Sequence, residues 1–197
     1  MSDDQKNDGD DPIQDESIIT SEQIGKKRGW SFYVPILILI FLVYMMFTSA
    51  PPHPLLEQAA PDFSLERLGD NTSSVTLSEH LGSEVVVLDF WATWCYQCRE
   101  GLPILDGIAQ EYADKDVVFY AVNVREPKDL VQDYVKSLNL KLDVLMDTYV
   151  EASTDYAASN LPQTVIIDKE GIIQDIHIGV SSSYRNEITQ KLDELLN

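Results

Sequence analysis

Four aliphatic residues, Val85, Val86, Val87 and Leu88, run through Asp89, Phe90 and Trp91 towards two cysteines, Cys95 and Cys98. No other stretch constrains the fold as much. A continuous apolar, β-branched run suits a strand covered on both faces. A Cys-x-x-Cys pair just beyond it opens a helix and sets both sulfurs on one side of that helix. Unpaired N–H groups and the positive end of the helix dipole favour an anion there. The Cys95 thiolate should therefore form more readily than that of a free cysteine, and the thiolate is the attacking species. Cys98, one turn further in, is placed to resolve a mixed disulfide. The pattern implies thiol–disulfide exchange. A structural zinc site usually needs four ligands, whereas the chain has two cysteines, and His53, His80 and His177 show no ligand spacing. A static disulfide closing so short a loop gains little entropy from closure.

The 197 residues leave room for one ordinary domain with appendages. The net charge is −19, of which residues 1–29, with 8 acidic and 4 basic side chains, contribute only −4. So acidic a domain argues against nucleic acid as a partner. Self-repulsion and solubility explain the charge, and a preference for basic partner proteins is the other reading. Two cysteines do not make a disulfide scaffold, so their number alone leaves the compartment open.

Residues 1–29 are polar and acidic, with too few apolar groups to offset the cost of ordering; they are expected to form a disordered cytoplasmic tail. Lys26, Lys27 and Arg28 precede an uncharged stretch, 30–50, whose centre from Phe32 to Phe47 is almost wholly apolar. About 19 helical residues cover roughly 28 Å, close to the hydrocarbon thickness of a bilayer. Trp30 and Tyr33 suit an interfacial belt, Pro35 is tolerable near a helix start, and the basic cluster predicts a cytoplasmic N-terminus. A cleaved signal peptide is the rival, since Thr48, Ser49 and Ala50 are small; the long acidic leader and the long apolar run favour an uncleaved anchor. Either way the following domain lies on the outer side, beyond a stiff Pro-rich spacer at 51–57.

The domain proper, 58–197, is predicted to begin with strands at 63–65 and 75–77 around a turn at Gly69. Ser78 would cap a short turn ended by Gly82. A strand at 84–91 and a helix at 95–112, kinked at Pro103, come next, then a strand at 116–124 and a helix from Pro127 to Leu138. That last helix has an apolar stripe of Leu130, Val131, Tyr134, Val135 and Leu138. A strand at 142–146, a helix at 149–158, a hairpin of 163–168 with 172–179 turning at Gly171, and an amphipathic helix at 182–196 complete the chain. This order implies an α/β fold with a mixed central sheet and helices on both faces. The first two long strands should be parallel, with the cysteines at the C-terminal end of one.

The segment Trp91-Ala-Thr-Trp-Cys-Tyr-Gln-Cys-Arg99 resembles the active site of thioredoxin-like proteins. Ala60-Pro-Asp-Phe-Ser-Leu65, Val75-Thr-Leu77, the region around Asn123-Val-Arg-Glu126 and Leu161-Pro-Gln-Thr-Val-Ile-Ile-Asp168 are similar to the membrane-anchored TlpA/ResA group. The resemblance spans about residues 58–197. It implies a thioredoxin fold with extra N-terminal strands and a central insertion. It also implies a cis peptide bond before Pro162, which would leave backbone groups of Leu161 free to pair with an extended substrate.

Two departures from that group matter. It typically has a Glu at the position of Gly101, whereas this chain has Glu100 one step earlier, turned about 100° around the helix. Asp89 stands where thioredoxin has a buried carboxylate, and Ala121 where thioredoxin has the accompanying Lys. A carboxyl between Leu88 and Phe90 without a cationic neighbour should have a raised pKa. It could take the proton of Cys98; the alternative is a partly hydrated structural acid.

Glu126 matches a family position, or is a solvated charge at a helix start. Trp91 packs in the core, and Trp94 lines the substrate surface with Leu161 and Pro162. Tyr96 and Gln97 tune the redox potential in a direction not derivable from sequence. Arg99 either favours the Cys95 thiolate or is solvated, and His177 reads as a satisfied sheet residue. The resemblance implies a cofactor-free reductase of exported proteins, such as apocytochrome c awaiting haem, supplied with electrons by a membrane partner. The rivals are an oxidase that inserts disulfides and a copper metallochaperone binding a soft ion through two thiolates. A peroxide-reducing relative fits the cysteine context less well.

Overall fold

A computed structural model describes residues 30–48 and 53–197, and the chain divides into two units, Met1–Pro51 and Pro52–Asn197. The expected acidic tail, residues 49 and 50 of the expected span, and Pro51 and Pro52 of the spacer lie outside the described residues. In the first unit a helix, α1, runs Trp30–Thr48. Its side chains are described from Tyr33 to Tyr44 and are exposed. Within the described residues no helix is long and apolar enough to cross a membrane.

The second unit is built on a seven-stranded sheet of order β2-β1-β5-β4-β3-β6-β7. The strands are β1 Ser64–Arg67, β2 Asp70–Thr76, β3 Val85–Trp91, β4 Val117–Val124, β5 Asp143–Asp147, β6 Gln163–Ile167 and β7 Ile173–Ile178. The helices are α2 Tyr96–Glu111, α3 Lys128–Leu138, α4 Glu151–Asp155 and α5 Tyr184–Leu196. The strand β3 lies parallel to β4 and antiparallel to β6, as expected for the most apolar run of the chain at the middle of a mixed sheet. Between β4 and β6 the chain adds α3, β5 and α4, and β5 extends the sheet to the N-terminal β1–β2 hairpin. The turns expected at Gly69, Gly82 and Gly171 are present, each with φ near +80°, where only glycine is free of a Cβ clash.

Side chains alternate along β3 and build two cores. Val85, Val87 and Trp91 pack with Cys95, Cys98 and Leu102 near the start of α2, with Val131 of α3 and with Tyr184, Ile188 and Leu192 of α5. Val86, Leu88 and Phe90 pack on the other face with Phe63, Leu65, Leu77, Ala152 and Tyr156. Helices thus cover both faces, and Asp89, alternating with Val87 and Trp91, falls on the cysteine side.

Three local expectations need correction. Ser78 does not cap its turn, because it lies inside the turn Leu77–Glu79, where its own backbone N–H is a donor that the Asp62 carboxylate accepts at 3.1 Å. Leu130 is exposed, since only Val131, Tyr134 and Val135 of the stripe turn to the core. The helix at 149–158 shrinks to α4, with Val150 at φ +57° before it and Tyr156 leaving the helix to fill the second core.

Candidate active site

The chain leaves β3 at Trp91 and turns through Ala92, Thr93 and Trp94 into Cys95, the N-cap of α2. Cys95 and Cys98 form a disulfide with an S–S distance of 2.03 Å. The Cys98 backbone N–H, one of the orphan donors of the first helical turn, points at the Cys95 sulfur at 3.1 Å. In the dithiol form the same donor meets the Cys95 thiolate, which a helix N-terminus already favours. Cys95 is 6% exposed and Cys98 is fully buried, so only Cys95 can be reached by an incoming sulfur.

Around the pair, Trp94 is 74% exposed, an unusual position for an indole that packing alone would have buried, and Tyr96 beside it is exposed as well. The Leu161–Pro162 bond is cis. The Pro162 carbonyl accepts from Gly179 N–H at 2.8 Å. Leu161, half-buried against both cores, has no hydrogen bond on its own backbone groups among the described residues. Gly179 in turn approaches Gln97: a Cβ there would lie 3.1 Å from the Gln97 Oε1, so the loop after β7 joins the proline to the start of α2.

That loop also explains the departure at Gly101. A Cβ on Gly101 would stand 2.9 Å from Val180 Cγ2, so the space a glutamate would need is filled by an aliphatic side chain from the opposite loop. Glu100 does not take over that place. It is exposed, as is Arg99.

Asp89 is 1% exposed. Burial pushes its carboxyl up from 3.8 to about 7, against the opposing pull of one hydrogen bond from Thr164 Oγ1 to Oδ1 at 2.8 Å. Its strand neighbours across the sheet are Ala121 and Thr164, so no cation offsets the burial. Thr164 Oγ1 is also 2.8 Å from the Tyr184 hydroxyl of α5. The sequence singled out Asp89 but neither hydroxyl, and no local pattern marks them, since Thr164 meets the acid from 75 residues away and Tyr184 meets Thr164 from a further 20.

Glu126 is not a solvated charge. It is 8% exposed and accepts three hydrogen bonds: from Thr93 N–H at 2.7 Å, from Thr93 Oγ1 at 2.6 Å and from Asn123 Nδ2 at 2.8 Å. It fastens the loop that delivers Cys95 to the end of β4, and touches neither sulfur. His177 pairs with Asp175 at 3.0 Å and Glu187 at 3.4 Å, a satisfied residue as expected. Among the described residues no group of three or more His, Cys, Asp or Glu side chains could hold a metal ion.

A buried-strand, helix-capping dithiol beside a cis-proline on this sheet defines a thioredoxin-like thiol–disulfide oxidoreductase, which acts through its cysteine pair without a cofactor. The chain belongs to the AhpC/TSA family, whose model matches residues 56–176. It is 39% identical over 139 residues to the thioredoxin-like protein YneN of Bacillus subtilis, covering 69% of this chain and 78% of that one. It is 28% identical over 155 residues to the thiol-disulfide oxidoreductase ResA of Geobacillus thermodenitrificans, covering 79% and 86%. Among solved structures, the exposed lipoprotein thioredoxin of Streptococcus pneumoniae superposes with a TM-score of 0.60 at 32% identity, covering 68% of this chain and all of the other.

Proposed function

We propose that this chain is a membrane-anchored reductase of exported disulfide-containing proteins, such as cytochrome precursors whose cysteines must be free before haem is attached. The Cys95 thiolate attacks one sulfur of the client disulfide, and the other leaves as a thiolate that takes a proton from solvent. The Cys98 thiol then gives its proton to the Asp89 carboxylate and its sulfur attacks Cys95, releasing the second client sulfur. The client gains two electrons and the chain is left as the Cys95–Cys98 disulfide, which a membrane thiol donor reduces again. Trp94, Leu161 and Pro162 receive the client, whose extended backbone pairs with the free backbone groups of Leu161.

The observation that carries the direction of electron flow is the buried Asp89 carboxyl on the cysteine face without a cationic partner. Its negative charge opposes a neighbouring thiolate and so favours the disulfide form of the chain, the property of a reductant; the helix N-terminus pulls the other way for Cys95. Equilibration of the full-length chain against a glutathione or dithiothreitol couple, followed by Trp fluorescence, weighs the two. A potential near or below about −250 mV supports the reductase, and one near about −120 mV makes the chain an oxidase.

The anchor reading rests on the uncharged stretch from residue 30 to 50, the basic residues before it, and the exposed apolar side chains of α1. Resistance of the protein to alkaline extraction from membranes, with the domain open to protease from outside, tests it. Release into the soluble fraction would overturn it.

A further inference from the structure

The proton-accepting group proposed above is held by two hydroxyls that the mechanism does not use. Thr164 Oγ1 lies between Asp89 Oδ1 and the Tyr184 hydroxyl, 2.8 Å from each, and all three side chains are buried. Counting protons fixes the direction of the chain. Threonine has one hydroxyl proton, and an ionised Asp89 can only accept. Thr164 therefore donates to Asp89, and Tyr184 must donate to Thr164. Each link polarises the next, so the pair acts on the carboxylate as one stronger donor. Among the described residues Asp89 has no other hydrogen bond, which leaves Oδ2 open to a proton.

The other elements packed around Asp89 bring no charge to it. Ala121 stands beside it on β4 and Thr164 on β6, Tyr184 approaches from α5, and α2 contributes Cys95 and Cys98 to the same core. Beyond Tyr184, His177 meets that ring edge-on at 6.2 Å, already paired with Asp175 and Glu187.

We propose that Thr164 and Tyr184 are positioning residues: their hydroxyls form a one-way relay that stabilises the Asp89 carboxylate and aims its free oxygen at the incoming proton. Without the relay a carboxyl so deeply buried stays protonated to higher pH and has no room for the Cys98 proton at neutrality. The inference rests on the proposed proton role of Asp89 for its catalytic meaning, but not for its effect on Asp89 itself.

The test follows the Asp89 carboxyl carbon by 13C NMR titration in the disulfide form of the full chain, with Asp89→Asn to assign the signal. The pH profile of exchange with a small disulfide is measured alongside. Thr164→Val should raise the Asp89 midpoint by about one pH unit or more, tenfold in proton affinity, and Tyr184→Phe by less. Thr164→Ser, which keeps the hydroxyl, should restore it, and the exchange profile should move with the midpoint. A midpoint unmoved in Tyr184→Phe and in Thr164→Val would overturn the relay; should the valine variant fail to fold, Tyr184→Phe alone decides. A midpoint that moves while the exchange profile stays fixed supports the relay and removes the proton role of Asp89.

Discussion

Two carboxyl groups flank the cysteine loop, Asp89 on the strand that leads into it and Glu126 hydrogen-bonded to Thr93 within it, both nearly sealed from water, and they are held in opposite ways. Glu126 is met by three donors, two from Thr93 and one from Asn123. Asp89 is met by one, the Thr164 hydroxyl. A buried carboxylate with several fixed donors is a structural fastener, because removing it strands those donors. A buried carboxyl with a single donor is left poised near neutrality, where it can gain or lose a proton at little cost. The number of hydrogen bonds, more than burial, separates the group that holds the loop from the group suited to serve the sulfurs.

The widest separation between the two should appear in stability against pH. The Asp89 pKa is about 7 in the folded chain and 3.8 ordinarily, so between those values the folded state binds more protons than the unfolded one. Stability contributed by the protonated acid is therefore full below about pH 4, falls as pH rises to about 7 and is flat above, by as much as about 4 kcal/mol. Asp89→Asn removes this slope, so in the disulfide form the variant should gain on the wild type from pH 4.5 to pH 8 in denaturant unfolding. A difference that stays constant over that range breaks the comparison. Glu126→Ala should cost about 3 kcal/mol by leaving the Thr93 and Asn123 donors without an acceptor. The same unfolding measurement checks it, and a loss under 1 kcal/mol would make Glu126 no fastener.

Smaller effects sharpen the contrast. Gly101→Glu alone should destabilise by about 2 kcal/mol, because its Cβ meets Val180. Val180→Ala should relieve that cost, and Gly101→Glu with Val180→Ala should restore part of the exchange rate lost in Asp89→Asn if a carboxyl at either place can take the proton. Trp94→Ala should change stability by less than about 0.5 kcal/mol, as the side chain is largely exposed. It should slow reduction of a protein disulfide while leaving a small disulfide unaffected. Equal slowing of both would remove Trp94 from the client surface.

Much of this protein was legible before any coordinates. The apolar run before the cysteines announced a central strand, and the alternation of strands and helices set the mixed sheet. The two glycine-marked hairpins lay where turn chemistry put them. These signals are local: apolar periodicity and turn residues report on burial and chain direction within a dozen residues. Even the raised pKa of Asp89 followed from its apolar neighbours, since burial on a central strand is itself a local inference. Glu126 was the weaker reading, because a carboxylate at a helix start looks the same in sequence whether water or Thr93 solvates it.

What only the tertiary structure decided is which polar groups meet. Thr164 reaches Asp89 through the register of β3 with β6, Tyr184 reaches Thr164 through the docking of α5, and Val180 fills the place beside Gly101 through the path of the loop after β7. Strand register and loop approach come from summed packing over the whole sheet, with no local code for the hydrogen bonds that result. The sequence determined that a dithiol would cap a helix at the end of a buried strand with an acid beneath it. The fold determined how that acid is held, and so what it can do.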